Sequence, residues 1–353
     1  MVNLKGARQQ EILSILSDGN LYAISDIEKK QTIESDRKTL QRDLAELIKE
    51  MQVESVGAGR GKRYKTSDAF EMFVRIDQDR YFEIDDKKRK GRKTFNHEIY
   101  GLLQNSLFNE EETQELQELH DRFIRNISRY DSQTLINKEY ERIMIEFSWK
   151  SSAIEGNTYS LLNTEALIKE NIKDSSKTEH ESQMILNHKD AFNECIQNKD
   201  RFIQLSIGDL EYIHQVLTKH LGIESNIRNS AVGVTGSTYV PLDNAYRIRE
   251  ALTAMIDTIN KKDFFIEKSF VALIMLSYIQ AFNDGNKRTA RMFSNAILLA
   301  FGSIPLSYRA VDVVEYKKAM ILFYEKNNIM YIKQMFVDQF RDAVDNYFVN
   351  HHE

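Results

Sequence analysis

Apolar and polar residues alternate with helical spacing along most of the chain, a pattern typical of amphipathic helices. The clearest segment, residues 269–281, is apolar nearly throughout and contains neither Gly nor Pro, so it predicts a buried helix. Residues 292–301 predict a second helix, and Asp284, Gly285 and Asn286 predict the break between the two. Since only 2 prolines occur in 353 residues, we expect a mainly α-helical protein.

The first 68 residues predict a small unit of three helices and a hairpin. Helical spacing covers residues 8–16, residues 24–30 after a turn at residues 18–20, and residues 35–51, with Ser35 as the expected N-cap. Residues 53–65 predict two strands joined by a glycine-rich tip.

Three helices followed by a basic hairpin resemble the winged helix-turn-helix fold, and SDRKTLQRDLAELIK is similar to recognition helices of the DeoR type. The resemblance covers about residues 5–66. It implies that the third helix enters the major groove of DNA while the wing approaches phosphates. The implied contacts are Arg37, Lys38, Thr39, Gln41 and Arg42 on the helix and Arg60, Lys62 and Arg63 on the wing. The alternative is a domain that docks a protein or only packs, with these side chains in water.

Residues 69–109 are predicted to connect this unit to a larger one, residues 110–353. The cationic run KKRKGRK, residues 87–93, predicts a solvated linker, with phosphate contact as the alternative. Residues 1–93 carry a small excess of Lys and Arg, whereas the net charge of the whole chain is -5. This mild bias permits a DNA partner without establishing one.

The chain has no apolar run near the length of a membrane span, and its first residues lack the apolar core of a secretory signal. Cys195 is the only cysteine, so a disulfide framework is not supported. These features predict a cytoplasmic protein with no membrane partner. They leave a homodimer open.

The segment YIQAFNDGNKRTAR, residues 278–291, carries the strongest chemical signal. It places the unpaired N–H groups of a helix N-terminus next to Lys287, Arg288 and Arg291. Backbone N–H groups and the helix dipole both favour anions at such a position. The loop at residues 280–291 therefore predicts a polyphosphate site.

This loop resembles the signature of Fic (Fido) proteins, HPFxDGNGRxxR, or HxFxxANKR in the Doc-like branch. The positions that match are Phe282, Asp284, Gly285, Asn286, Lys287, Arg288 and Arg291. SSAIEGN, residues 151–157, is similar to the inhibitory motif of the family through Ser151, Glu155 and Gly156. The resemblance covers about residues 110–340 and implies an all-α Fic-type helical domain after the winged helix-turn-helix.

The run VGVTGSTYVP, residues 232–241, predicts a β-hairpin and falls where the family has its flap. A flap of this kind pairs with an extended segment of a target protein, here unknown. The flap residues are Thr235, Gly236, Ser237, Thr238 and Tyr239.

The resemblance implies transfer of AMP from ATP to a protein hydroxyl, with Mg²⁺ bridging the phosphates. Asp284 would hold the metal, and Gly285, Asn286, Lys287 and Arg288 would surround the α and β phosphates, with Arg288 neutralising the β phosphate. Arg291 would meet the γ phosphate, and Glu155 would withdraw Arg291 to give an autoinhibited state. Taken singly, Asp284 and Gly285 could form only a turn, Arg288 and Arg291 could be surface cations, and residues 151–156 could be a capped helix N-terminus.

Gln280 stands where the family has the histidine that takes the proton from the target hydroxyl. A neutral amide cannot carry a proton away, and loss of a general base removes on the order of 10² to 10⁴ in rate. One hypothesis is therefore a degenerate Fic protein that binds an ATP-type nucleotide and couples it to a DNA-binding domain. The other is an active enzyme that moves AMP onto, or off, a Ser, Thr or Tyr hydroxyl.

Overall fold

The computed structural model describes residues 4–17 and 20–349, so most of the predicted turn at residues 18–20 lies outside the described residues. Sixteen α-helices, three short 3-10 turns and a single two-stranded sheet make up the regular structure of these residues. The prediction of a mainly α-helical protein is confirmed. None of the described helices has both the length and the apolar character needed to cross a membrane.

The N-terminal unit has its own small hydrophobic core. Its elements are α1 (Leu4–Leu16), α2 (Ile24–Lys30), α3 (Arg37–Lys49), β1 (Val53–Val56) and β2 (Arg63–Thr66). The strands pair antiparallel, with Val53 opposite Thr66 and Val56 opposite Arg63. The apolar stripe of α3, Leu40, Leu44 and Leu47, is fully buried in this core, so the exposed face of α3 carries its polar residues.

The start of α3 differs from the prediction by one residue. Asp36 is the N-cap, because its Oδ1 accepts a hydrogen bond from the Thr39 N–H at 2.6 Å. The expected cap, Ser35, instead donates its hydroxyl to Gln31 Oε1 at 3.3 Å. Asp and Ser are comparable caps, so composition alone could not choose between neighbouring positions.

The segment that connects the two units contains α4 (Asp68–Phe73), α5 (Gln78–Glu83) and α6 (Ile99–Leu103). It packs on the C-terminal unit. Met72, Phe95 and Ile99 are buried in the core of that unit, and the Ile329 N–H bonds to Met72 O at 2.9 Å. Residues 69–109 are therefore part of the folded body.

The expectation of a solvated linker at residues 87–93 is wrong for Arg89. Its side chain is buried against the fully buried Glu325, with Nε–Oε2 and Nη2–Oε1 distances of 3.0 Å. Gly91 makes this approach feasible, because a Cβ there would lie 2.7 Å from the Glu325 Cβ. A charge run in a sequence does not reveal that one member meets a buried carboxylate more than 200 positions away.

The C-terminal unit is a layered helical body around two central helices. Its elements are α7 (Glu110–Ile127), α8 (Gln133–Ile154), α9 (Leu161–Glu170), α10 (Glu179–Gln197), α11 (Ile207–Thr218), α12 (Ala245–Lys261), α13 (Phe265–Ile279), α14 (Asn286–Ala300), α15 (Val313–Lys326) and α16 (Met330–Asn346). Every residue of α13 after its first is buried. Helices α8, α10 and α11 pack on α14, whereas α12 and α15 pack on α13. Because both central helices are held by their neighbours, the position of the loop between them is fixed as well.

Candidate functional site

The loop of residues 280–285 joins the two central helices through two left-handed residues. Gln280 ends α13 with φ 52°, and Gly285 precedes α14 with φ 80°. A Cβ at position 285 would also lie 3.1 Å from Thr218 Cγ2. Glycine is therefore required there on both conformational and steric grounds.

The side-chain amide of Asn286 binds the backbone of Phe282 within the loop. Its Oδ1 accepts from the Phe282 N–H at 2.8 Å, and its Nδ2 donates to Phe282 O at 2.7 Å. The amide thus shapes the loop, and contact of Asn286 with the α and β phosphates stays a prediction. The first N–H groups of a helix have no partner within it, and Thr289 N is the first to bond back, to Gly285 O at 2.9 Å.

Two residues from distant parts of the chain hold the loop in place. Arg228, 52 positions before the loop, donates from Nε to Gln280 O at 2.6 Å and from its backbone N–H to Ala281 O at 3.0 Å. His214 bonds through Nε2 to Asp284 O at 3.0 Å and stacks on Phe282, with ring centroids 3.6 Å apart. Burial lowers the pKa of His214 to about 4, so the neutral ring donates from Nε2. No local motif marks Arg228, so its contact with the loop could not be predicted from the sequence.

Arg288 and Arg291 are buried cations with unused hydrogen-bond donors. Their side chains are 2% and 0% exposed. Arg288 Nη2 lies 3.3 Å from Asp284 Oδ2, and within the described part of the chain the Nη1 of each arginine has no hydrogen-bond partner. Leaving a buried charged donor unpaired is costly. An anion bound in the loop would remove that cost.

Glu155 meets Arg291 as predicted from the sequence. Arg291 Nη2 lies 3.0 Å from Glu155 Oε1, and Lys287 Nζ lies 3.9 Å from Glu155 Oε2. Burial alone would raise the pKa of Glu155, but the charges of Arg291 and Lys287 outweigh it and hold the pKa below its usual value. The carboxylate is therefore ionised at neutral pH, and a fall in pH weakens the ion pair once acid protonates it.

The segment of residues 151–156 is the end of a helix, so the alternative of a capped N-terminus is wrong. Glu155 is the C-cap of α8, and Gly156 follows with φ 97°. The C-terminus of a helix is the negative end of its dipole and disfavours a carboxylate. Glu155 consequently depends on Arg291 and Lys287 for its stabilisation, which makes it responsive to any ligand that competes for these cations.

A buried chain of hydrogen bonds fixes the other side of Arg291. Its Nε donates to Ser151 Oγ at 3.0 Å, and its Nη2 donates to Ser151 O at 2.8 Å. His188 Nε2 lies 3.0 Å from Ser151 Oγ, and His188 Nδ1 lies 2.8 Å from Met184 O. Burial lowers the pKa of His188 to about 3, so the neutral ring donates to Met184 O and accepts from Ser151. Ser151 thus orients Arg291, and the sequence did not indicate that His188 orients Ser151.

A cavity of about 320 Å³ opens beside this ion pair. The end of α8 contributes Ile154, Glu155 and Gly156 to its lining, and α14 contributes Lys287. The other lining residues are Val234 and Thr235 of the predicted flap and, from α15, Tyr316, Lys317, Met320, Ile321 and Tyr324. The volume is within the range of small-ligand sites, and an apolar, aromatic wall next to buried cations suits a ligand with a flat body and an anionic tail.

Residues 204–298 match the model of the Fic/DOC family. The chain contains a Fic/DOC domain. The matched stretch includes the whole loop of residues 280–291 and the predicted flap, whereas Glu155 lies outside it. The family resemblance predicted for the C-terminal unit is therefore confirmed at the level of the domain.

Two curated relatives show how far the similarity extends. The protein adenylyltransferase fic-1 of Caenorhabditis briggsae is 28% identical over 210 residues, which are 57% of this chain and 40% of that protein. The protein adenylyltransferase Fic of Nematostella vectensis is 30% identical over 175 residues, which are 48% of this chain and 40% of that protein. The match thus spans about 40% of the length of each relative.

Solved structures share the fold. A fragment of Fic-1 from Caenorhabditis elegans superposes with a TM-score of 0.56 at 20% identity, covering 67% of this chain and 71% of that one. A Fic family protein from Desulfovibrio desulfuricans superposes with a TM-score of 0.54 at 21% identity, covering 65% and 73%. The predicted fold class, mainly helical with a Fic-type domain, is confirmed.

The flap of the Fic domain differs from the predicted hairpin. Residues 232–241 form one turn, closed by a hydrogen bond from Ser237 N–H to Val234 O at 3.1 Å. They form no strands that pair with each other. Val240 instead pairs with Thr94, donating its N–H to Lys93 O at 2.9 Å. The connecting segment therefore takes the hydrogen bond that the second strand of a flap hairpin would make with the first.

Side chains also anchor the flap. Tyr239 is buried and donates its hydroxyl to Tyr278 O at 2.8 Å, and Ser237 Oγ donates to Glu325 Oε1 at 2.6 Å. Gly236 O accepts from Arg89. Thr235 and Gly236 are exposed at the tip, and Thr238 is half-buried.

Gln280 and Asp284 occupy the positions at which the family motif places its base and its metal ligand. The side chain of Gln280 is buried and donates from Nε2 to Ser277 O at 2.6 Å, so it caps its own helix. Asp284 is 68% exposed, with Oδ1 accepting from the Gly285 N–H at 2.6 Å. Among the described residues no group of three or more His, Cys, Asp or Glu side chains could hold a metal. A single exposed carboxylate next to the predicted phosphate site still fits Mg²⁺, which is usually held by one or two carboxylates together with substrate phosphates.

The residues predicted to contact DNA lie on the surface of the N-terminal unit. Arg37, Lys38, Gln41 and Arg42 are exposed on α3, and Thr39 is half-buried near its cap. On the hairpin Arg60 is exposed, while Lys62 and Arg63 are half-buried. These cations lie on the helix and hairpin positions that the resemblance indicated, and their contact with DNA stays a prediction.

Proposed function

We propose that the Fic domain binds an ATP-type nucleotide together with Mg²⁺, that Glu155 restrains the bound state, and that the protein acts as a nucleotide-dependent regulator through its N-terminal unit. One observation carries the proposal. Arg291 is fully buried at the first turns of α14 and is neutralised by a single carboxylate, Glu155. An anion that enters the loop competes directly for this cation.

The triphosphate is bound by the start of α14. The free N–H groups of Asn286, Lys287 and Arg288 receive the α and β phosphates, with Gly285 allowing their close approach. Arg288 neutralises the β phosphate through its unused Nη1. The Asp284 carboxylate faces the metal, and Mg²⁺, when bound, neutralises charge on the phosphate oxygens. The base lies in the adjoining cavity against Tyr316 and Tyr324.

Glu155 determines which geometry the nucleotide adopts. As long as Glu155 holds Arg291, the γ phosphate has to share this cation with the carboxylate, and the triphosphate is poorly oriented for transfer. This is the inhibited state that the motif of Ser151, Glu155 and Gly156 implies. The position of Glu155 at the end of α8, where the helix dipole disfavours a carboxylate, supports a pair that a competing anion can open.

Binding is favoured over transfer because of Gln280. Its amide has no basic nitrogen and donates to its own helix, so no general base faces a target hydroxyl at this position. The second candidate function is transfer of AMP onto, or off, a protein hydroxyl, which the names of the two curated relatives favour. For removal of AMP, Glu155 would have to activate the water that attacks the phosphate.

The test of nucleotide binding is calorimetry of the whole chain with ATP, with and without Mg²⁺. We expect saturable 1:1 binding that is tighter for ATP than for AMP, because only ATP reaches Arg288 and Arg291 with its β and γ phosphates. Equal affinity for ATP and AMP, or no heat with either, would contradict the phosphate site. Labelling of the protein itself by ATP carrying a radioactive α phosphate, measured in parallel, reports the second candidate function.

DNA binding by the N-terminal unit can be tested separately from nucleotide binding. Replacing Arg37 and Arg42 together by Ala should weaken binding to duplex DNA by about 10-fold at low salt, since two phosphate-facing charges are removed. Fluorescence anisotropy at several salt concentrations measures both the affinity and its salt dependence. The matched control replaces Arg247 and Arg249, two exposed arginines of α12, by Ala. Equal loss in both double variants, or binding that does not depend on salt, would support a unit that docks protein instead.

A further inference from the structure

A second cavity shares no lining residue with the loop of residues 280–291 and lies where the N-terminal unit, the connecting segment and the C-terminal unit meet. Its volume is about 420 Å³, within the range of small-ligand sites. Ser17 and Thr66 reach it from the N-terminal unit, and Lys326 reaches it from the end of α15. All other lining residues belong to the segment of residues 70–90.

The interior of this cavity is apolar. Residues of α4, α5 and the turn between them form it, and the apolar side chains among its lining are Phe70, Val74, Ile76, Tyr81 and Ile84. The lining exposes far more apolar than polar surface, and Ile84 is 43% exposed. Apolar side chains left open to water are favourable contacts for an apolar ligand.

The rim of the same cavity is cationic. Six cations line it. Arg89 is paired with Glu325, whereas within the described part of the chain none of the other five takes part in a salt bridge: Arg75, Arg80, Lys88, Lys90 and Lys326. Only two acidic residues line it, and both carboxylates have other partners: Glu71 accepts from the Thr66 hydroxyl at 2.7 Å, and Asp77 caps α5 by accepting from Arg80 N. Cations therefore outnumber carboxylates in this lining by six to two, or by five to two once the paired Arg89 is left out.

Hydrogen bonds from the C-terminal unit hold the backbone of the segment that lines the cavity. Asn328 Nδ2 donates to Glu71 O and to Val74 O, each at 2.7 Å. The Tyr331 hydroxyl donates to Ile76 O. Tyr81, another lining residue, donates its hydroxyl to Glu325 Oε2 at 2.6 Å. The cavity is thus preformed, so little ordering of the chain opposes binding.

We propose that this cavity, here called the junction cavity, binds a small amphipathic anion, with an apolar body against the α4–α5 interior and a carboxylate or phosphate group at the cationic rim. Two observations support this assignment: an open apolar interior, and five lining cations that take part in no salt bridge among the described residues. A cationic amphiphile would meet the rim with repulsion, and a purely polar anion would leave the interior in water.

The junction cavity also adjoins the anchor of the flap. Arg89 and Tyr81 line it, and both bind Glu325, which in turn accepts from Ser237 in the flap. A ligand in the junction cavity therefore contacts the residues that hold the flap. We therefore expect binding of the ligand to be detected in the segment of residues 70–90.

The experiment titrates the full chain with octyl phosphate, butyl phosphate, octanoate and octyltrimethylammonium, all as monomers, by calorimetry. We expect octyl phosphate to bind at least 10-fold more tightly than butyl phosphate, because the longer chain buries more apolar surface. Octanoate against octyl phosphate distinguishes a carboxylate from a phosphate ligand. Binding of octyltrimethylammonium as tight as that of octyl phosphate would overturn the proposal, since the rim would then play no part.

Variants locate the bound probe. Arg80→Glu with Lys88→Glu should weaken octyl phosphate binding at least 10-fold, whereas Arg247→Glu with Lys199→Glu, the same change on the exposed surface elsewhere, should not. Val74→Trp fills the junction cavity and should abolish binding, with Leu162→Trp, at a side chain that is 75% exposed, as its control. Hydrogen exchange should show protection at residues 70–90 on addition of octyl phosphate. Protection confined to residues 286–291, or unchanged affinity in the rim variant, would overturn the proposal.

Discussion

Arg291→Ala should reduce the affinity of the chain for ATP with Mg²⁺ by roughly 30-fold to several thousand-fold, because a buried charge contact to a ligand is worth about 2–5 kcal/mol. Arg291 is fully buried, and its unused Nη1 has no other partner among the described residues. Calorimetry of the parent and the variant measures the difference.

Glu155→Gly is the matched control, because it breaks the same ion pair from the other side. If Arg291 binds the γ phosphate, removing Glu155 leaves the cation available, so the affinity for ATP should stay the same or increase. If the pair were only structural, both variants would lose affinity together. Equal losses, or unchanged affinity in Arg291→Ala, would therefore contradict the assignment of the γ-phosphate contact. Thermal unfolding of both variants shows whether each remains folded.

Local pattern was sufficient for the central helices and the loop between them. The apolar run before Gln280 and the Asp284–Gly285 break predicted α13, α14 and their junction, because burial and turn chemistry are properties of neighbouring residues. The pairing of Glu155 with Arg291 was also anticipated, although only through two motifs that resemble one family.

Long-range partners could not be found in the same way. Arg228, His188 and Glu325 each act on a residue dozens to hundreds of positions away, and nothing in their own neighbourhood marks them. The flap failed as a predicted hairpin for a related reason. Its β-branched residues favour extended backbone, but its pairing partner, Thr94, comes from the connecting segment.

The double substitution Gln280→His with Glu155→Gly should raise transfer of AMP to protein, measured as labelling by ATP with a radioactive α phosphate, by on the order of 10² to 10⁴ over the parent. The histidine supplies a base at the end of α13, and the glycine frees Arg291 to orient the γ phosphate. The gain should fall as the pH drops below about 6.5, the ordinary pKa of histidine, because the protonated ring cannot accept the hydroxyl proton.

Gln280→Leu with Glu155→Gly separates the two effects, since it frees Arg291 without adding a base. If the absent base limits the parent, this control should label no faster than Glu155→Gly alone, and only the histidine variant should show the pH dependence. Equal labelling in all three variants would mean that position 280 does not govern transfer. The loop, its anion-binding helix start and its buried arginines would then serve binding alone, which is the state that the donation from Gln280 Nε2 to Ser277 O already favours.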